Sequence, residues 1–286
     1  MSNKRFVAGA VVAPLLVCFV LSWSSCSGKR GDDGVVPEDS VQVTGNEEDS
    51  LEDIITATPM PEAADEIFDD FMFNFVANGK LQRERIVFPL PVYENGRVKR
   101  QIEKKAWKTS HFFMQQDYYT IILNSEAELE QIKDTSVSHA AIEDISLDKQ
   151  TVRQYVFDRA HNDWRLTSIQ EFPLGKSPHA SFLAFYRHFS QDKDFQTESM
   201  ASEVTFSCPD PDDDFEQMTG TFLPEQWPAF APALLPAGHL WNVQYGQAPA
   251  ESAVKVFVLR GIANGLETQL TFRLTRGRWK LVKLNT

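Results

Sequence analysis

FDDFMFNF (residues 68–75) and FLAFYRHF (residues 182–189) decide the fold of this 286-residue chain, because the second stretch restates the first. Phe68, Phe71 and Phe75 return as Phe182, Phe185 and Phe189, each 114 positions later. Each copy then closes on a matching strand pair, YVFDRAHNDWRLTSI (155–169) and LTFRLTRGRWKLVKL (270–284). In these pairs Phe157 and Phe272, Trp164 and Trp279, and Leu166 and Leu281 stand 115 apart. Between the ends, Phe88 and Pro91 answer to Phe206 and Pro209 at 118, and Trp107 to Trp227 at 120. An offset that drifts in small steps is what loop insertions produce. It far exceeds the roughly 20–50 residues of a solenoid unit, so the duplicated piece is a whole domain.

Within each copy the period changes once. Phe68, Phe71, Met72 and Phe75 fall at i, i+3, i+4 and i+7, one face of an amphipathic helix, with Pro59 and Pro61 upstream and Gly79 as a stop. The second copy starts at Ser177-Pro178, a cap with proline in the first turn, and presents Phe182, Phe185, Tyr186 and Phe189. Short second helices are predicted at Leu81–Arg85 and Phe195–Met200. Then alternation takes over. Leu270, Phe272 and Leu274 interleave with Thr271, Arg273 and Thr275; Arg276-Gly277 turns the chain, and Trp279 and Leu281 return. His161-Asn162-Asp163 makes the same turn in the first copy, and Asn264-Gly265 joins Val254–Arg260 to the strand that follows. Helix first and antiparallel strands after is an α+β class, a helix laid on a curved sheet.

An aromatic-faced helix, a short second helix and a last strand pair ending in W-x-L (WRL at Trp164, WKL at Trp279) resembles the nuclear-transport-factor-2-like roll. Two such units behind an export signal are similar to a family of bacterial envelope lipoproteins carrying a domain of unknown function. The resemblance covers about Ile67 to Leu284 and implies two tandem domains, residues 67–172 and 177–286, each with a cavity between helix and sheet. The fold hosts isomerases, dehydratases and many noncatalytic binding proteins, so it does not choose a function.

The compartment is written at the N-terminus. Lys4 and Arg5 precede an apolar run from Phe6 to Trp23, then Ser24, Ser25 and Cys26, which reads as an export signal over residues 1–25. Pro14 and the small-residue end argue against a membrane-spanning anchor. The signal resembles that of a bacterial lipoprotein, with Cys26 acylated; Trp23 departs from the usual pattern, and Cys18 fits it worse. The expected location is a Gram-negative cell envelope, outer membrane, with the membrane held through the N-terminal lipid. Residues 27–66 hold twelve acids against Lys29 and Arg30, which with the basic signal leaves only −4 of the chain's −12 for residues 67–286. That stretch is too polar to bury a core and reads as a disordered tether over residues 26–66. Removal of the signal and acylation of Cys26 leave Cys208 alone, a small buried hydrophobe with no disulfide to make.

Chemistry is thinly marked. Asp70, Tyr118 and Tyr119 are the candidates for an acid base beside a phenol, the arrangement an isomerase cavity uses, but the second copy has Ala184 where Asp70 stands. Asp210, Asp212 and Asp214 open like a calcium loop, yet Phe215 and Thr221 occupy its glycine and glutamate positions, so no metal is expected. No cofactor fingerprint appears, and no basic run suits nucleic acid. The proline-broken segment FLPEQWPAFAPALLPAGHLW (222–241) offers Trp227, Phe230 and Trp241, with Trp107 as the first copy's counterpart, as a candidate surface for a ligand or an envelope protein, or else as a plug. The sequence reading is therefore a noncatalytic binding or scaffolding protein, with an isomerase or hydratase as the alternative.

Overall fold

The computed structural model describes residues 65–286 apart from 211–212 and 248–249, and the backbone alone of 213–215. The export signal, Cys26, the acidic stretch before Asp65, and the calcium-loop candidates Asp212 and the Asp214 side chain lie outside the described residues. The class is α+β, with a large sheet and few helices. Helices α1 (Phe68–Ala77) and α2 (Gly79–Arg85) precede strands β1 (Leu90–Glu94), β2 (Arg97–Ile102), β3 (Tyr118–Leu123), β4 (His139–Ser146), β5 (Thr151–Ala160) and β6 (Asp163–Pro173). The second copy repeats the order: α3 (Ala180–Phe189), α4 (Lys193–Glu198), β7 (Met200–Asp210), β8 (Asp213–Phe222), α5 (Trp227–Phe230), β9 (His239–Tyr245), β10 (Val254–Gly261), β11 (Glu267–Thr275) and β12 (Arg278–Asn285).

The helix starts and stops have local causes. Asn78 ends α1 and caps α2, its side chain accepting from the amides of Lys80 and Leu81; Asp192, 114 residues on, caps α4 through the amides of Asp194 and Phe195. Gly79, expected as a stop, is the first residue of α2. A Cβ there would lie 2.6 Å from Oγ1 of Thr109, so glycine permits a close approach of chain to helix. The predicted turns form, with Arg276-Gly277 and His161-Asn162 all at positive φ.

All twelve strands form one sheet in the order β2-β1-β6-β5-β4-β9-β3-β10-β11-β12-β7-β8. Replacing each strand by its repeat counterpart reverses this order, so a pseudo-twofold runs between β3 and β9, which pair in parallel at Thr120 and Asn242. The inner strands are exchanged. β3 of the first copy pairs with β10 of the second, and β9 of the second with β4 of the first. The expected domains 67–172 and 177–286 thus trace the two repeats, which the exchange of β3 and β9 joins through one sheet.

The exchange also sorts the core onto both faces. Phe68, Phe71, Phe75, Phe157 and Trp164 pack with Ile121, Val256 and Val258 on one side. Phe182, Phe189, Phe272 and Trp279 pack with Ile122 and Phe257 on the other. Alternate residues of β3 and β10 therefore enter opposite cores, which is why YYTIIL and VKVFVLR are near-continuous apolar runs. Each buried phenylalanine contributes roughly 1.5–3 kcal/mol, so the two stripes are the main driving force for folding.

Candidate functional site

At the seam between the copies a carboxylate meets two phenols. Asp69, on the α1 turn beside the phenylalanine stripe, accepts from the Tyr245 hydroxyl at 2.5 Å and from Tyr119 at 3.4 Å. Tyr119 comes from β3 and Tyr245 from the end of β9, so only strand exchange brings them together. Burial pushes the Asp69 carboxyl above the usual carboxylate range, opposed by the Tyr245 hydrogen bond. Burial, with the charge of Asp69, raises Tyr119 to about 12 and Tyr245 well above an ordinary phenol. Nearby, Arg260 is held by Glu267 at 2.7 Å. The sequence reading chose Asp70, with Tyr118 and Tyr119. Asp70 is exposed, and Tyr118, on the alternate face of β3 from Tyr119, is half-buried. The actual pair was one residue away, and no local signal distinguishes two adjacent aspartates.

Two further buried polar groups sit near the pseudo-axis. Glu143 accepts from Asn242 at 2.8 Å and Gln154 at 3.0 Å, and burial raises its carboxyl. In the second core the Lys255 ammonium nitrogen lies 2.6 Å from Oδ1 of Asn124 and 3.0 Å from Nδ1 of His179. Burial, then the Lys255 charge, pulls His179 down to about 3, so it is neutral at pH 7. Burial likewise lowers Lys255. Among the described residues no three His, Cys, Asp or Glu side chains group to hold a metal ion.

The interior of each half is filled by its own rings, but the end of the first half opens as a groove of about 820 Å³. Asp144, Lys149, Arg153, Glu171 and His239 line it. Nε2 of His239 is 2.8 Å from Asp144, Arg153 approaches Glu171 at 3.7 Å, and its guanidinium lies 5.4 Å over the Tyr155 ring. Two residues further along the same face stand Tyr155 and Trp241, which with Phe112 close the aromatic core behind the groove. Acids and cations thus converge on one concavity, with Phe172 on its wall. The second copy does not repeat them: by repeat offset and strand pairing, Leu259, Thr268 and Tyr118 hold the places of Asp144, Arg153 and His239.

The four aromatic residues proposed as a binding surface separate. Trp227 is 2 % exposed and Trp107 7 %, so both are core rather than surface. The reason is polar: Trp107 donates its indole N–H to Gln82 at 3.2 Å and Trp227 to Gln196 at 2.9 Å, and each glutamine amide donates to the carbonyl of Phe75 or Phe189. Phe230 is half-buried and stacks on Phe222 at 4.3 Å, so the proline-broken segment plugs the second core. Trp241 is half-buried against the first core and does not line the groove, though its ring lies 5.6 Å from that of His239, which does. Cys208 is half-buried on β7, not fully buried as expected. Asp210 is half-buried at the end of β7.

Comparison places this geometry among known proteins. A family model described as a domain of unknown function, DUF4348, matches residues 47–286. The crystal structure of an NTF2-like protein from Bacteroides fragilis is similar at 38% identity and a TM-score of 0.72, covering 79% of this chain and 98% of that one. No curated protein matches. Among the described residues no helix is long and apolar enough to cross a membrane.

Proposed function

The chain belongs to the DUF4348 family, and from that premise we propose that it is a lipid-anchored envelope protein that binds a small polar ligand or a peptide segment of an envelope protein, without catalysis, in the groove ending its first half. The observation that carries this reading is the contrast between a ring-filled interior and an open groove lined by Asp144, Glu171, Arg153, Lys149 and Phe172, with the Arg153 guanidinium backed by the Tyr155 ring. Paired opposite charges beside rings suit a ligand that bears both signs and an apolar part. The second copy's lack of these charged residues, with Leu259, Thr268 and Tyr118 in the places of Asp144, Arg153 and His239, matches a fold duplicated for shape with binding in one half. Anchoring rests on the sequence before residue 27, and the expected location is the Gram-negative outer membrane.

Binding is tested by titrating a panel of dipeptides into the protein and reading amide NMR shifts. The expected result is saturable shifts at Arg153, Glu171 and His239, abolished by Arg153→Glu and unaffected by Asp69→Asn. Shifts that persist in Arg153→Glu, or none anywhere in the groove with the whole panel, remove the reading. Anchoring is tested by labelled palmitate, which should enter the chain and fail to enter Cys26→Ser.

The alternative, a cavity enzyme, has the Asp69–Tyr245 pair in its favour, a raised carboxyl beside a phenol. Binding of the same panel that shifts Tyr119 and Tyr245 in place of the groove residues would favour it.

A further inference from the structure

The fold assembles a basic face from two separated segments. Residues 79–85 and 97–108 together hold nine Lys and Arg against Glu84 and Glu103. They meet because Gln82 of α2 bonds both the Trp107 indole and the backbone of Ser110, at 3.2 Å and 2.8–3.1 Å. Lys80, Arg83, Lys104, Lys105 and Lys108 are exposed around that junction, and among the described residues none has an acidic partner. The basicity is not required by the fold. In the second copy the matching segments, 193–198 and 215–227, carry Lys193 as their single cation against Asp194, Glu198, Glu216 and Glu225.

The chain supplies a polyanion of its own. Residues 46–64 carry six acids and no Lys or Arg, and they join the fold at Asp65. Asp65 is already clamped on this face: its two oxygens lie 2.6 and 3.0 Å from the Arg85 guanidinium of α2, and it is 7 % exposed. We propose that the face built from α2 and residues 97–108 binds the chain's own acidic segment, residues 46–64, in cis.

Reach is no obstacle, since that many residues span on the order of 60 Å when extended. An attached ligand acts at an effective concentration of about millimolar, which favours it over a free anion of similar charge. The obvious competitor, an anionic lipid surface, is disfavoured because the same acidic segment repels it. Exposed charges screen within about 8 Å at physiological salt, so the contact is made by close ion pairs and weakens as salt rises.

The test is zero-length carbodiimide cross-linking of the full chain in detergent, with peptides identified by mass spectrometry and an equimolar mixture of light and heavy nitrogen to separate cross-links within a chain from those between chains. The expected result is same-chain links from Glu47–Glu62 to Lys80, Lys104, Lys105 and Lys108, falling at least threefold at 0.5 M salt. The triple variant Lys104→Glu, Lys105→Glu, Lys108→Glu should lose the remaining links to Lys80 by a similar factor while keeping its melting temperature. Links spread evenly over Lys149 and Lys193 as well, or links mainly between chains, overturn the proposal. Cosedimentation with phosphatidylglycerol vesicles that is lost in the triple variant, with no same-chain links to the face, overturns it in favour of a membrane.

Discussion

Trp227 and Gln196 are joined by an indole N–H bond of 2.9 Å inside the second core, and Gln196 passes the bond on to the Phe189 carbonyl at 2.7 Å. The same relay joins Trp107, Gln82 and Phe75 in the first core, so it belongs to the duplicated architecture. Replacing Gln196 with Leu leaves a buried indole donor and a helix-end carbonyl unpaired, each worth about 1–3 kcal/mol. Urea unfolding should show a loss of about 2–4 kcal/mol for Gln196→Leu. A loss under 0.5 kcal/mol would mean the relay is incidental.

Trp279 donates to Ser181 at 3.1 Å, whereas the buried Trp164 indole has no partner among the described residues and Ile67 holds the place corresponding to Ser181. Ile67 is also the N-cap of α1 and makes no capping bond. Ile67→Ser offers either a cap or an indole acceptor, each about 1 kcal/mol. A gain of that size should appear in thermal unfolding; no gain would mean the indole is satisfied in another way.

His179 titrates near 3 when folded and near 6.5 in an unfolded chain. The unfolded state therefore binds more protons between those values, so stability is complete above about pH 6.5 and is lost as pH falls toward 3. His179→Asn should flatten the stability profile between pH 6.5 and 4 by a few kcal/mol, read by urea unfolding across pH. An unchanged slope would place the acid sensitivity elsewhere.

Asp69 has the opposite sign. Its folded carboxyl is raised by burial, so its contribution is greatest below its unfolded value and is lost as pH rises through the folded one. Asp69→Asn, which keeps an acceptor for Tyr245, should gain in stability relative to the natural chain as pH goes from 4 to 7. A relative gain that shrinks with pH would mean that the phenol bonds outweigh burial.

Strand exchange predicts behaviour that two free domains would not show. Residues 65–176 alone lack β9, which covers the inner edge of β4, and leave β3 without β10. That fragment should be unfolded as a monomer, or recover order only as a dimer in which β3 of one copy fills the place beside β4 of another. A folded monomer by sedimentation and circular dichroism would argue against the exchange.

Much of the architecture was written locally. The phenylalanine stripes, the short second helices and the Arg276-Gly277 and His161-Asn162 turns follow from periods of 3.6 and 2 and from the backbone demands of single residues. The repeat itself announced twofold construction. The site was far less legible. Asp69 and Asp70 are neighbours of the same chemistry, and what separates them is a tyrosine 176 residues away. Trp107 and Trp227 looked like surface because Gln82 and Gln196 are unremarkable in sequence and become acceptors only when a loop folds over the helix.

The sequence by itself determined that one α+β unit was made twice, which residues face a core, and where the chain turns, because those properties depend on neighbours within a few positions. Tertiary structure alone decided that the inner strands cross over, that two cores share one sheet on opposite faces, and that the charged groove residues and the basic face come together in the first copy. Strand exchange depends on which edge a strand meets, and an edge offers the same backbone donors and acceptors whichever copy it belongs to. The choice between pairing with its own copy and pairing with the other is therefore made by loop length and side-chain packing over the whole fold.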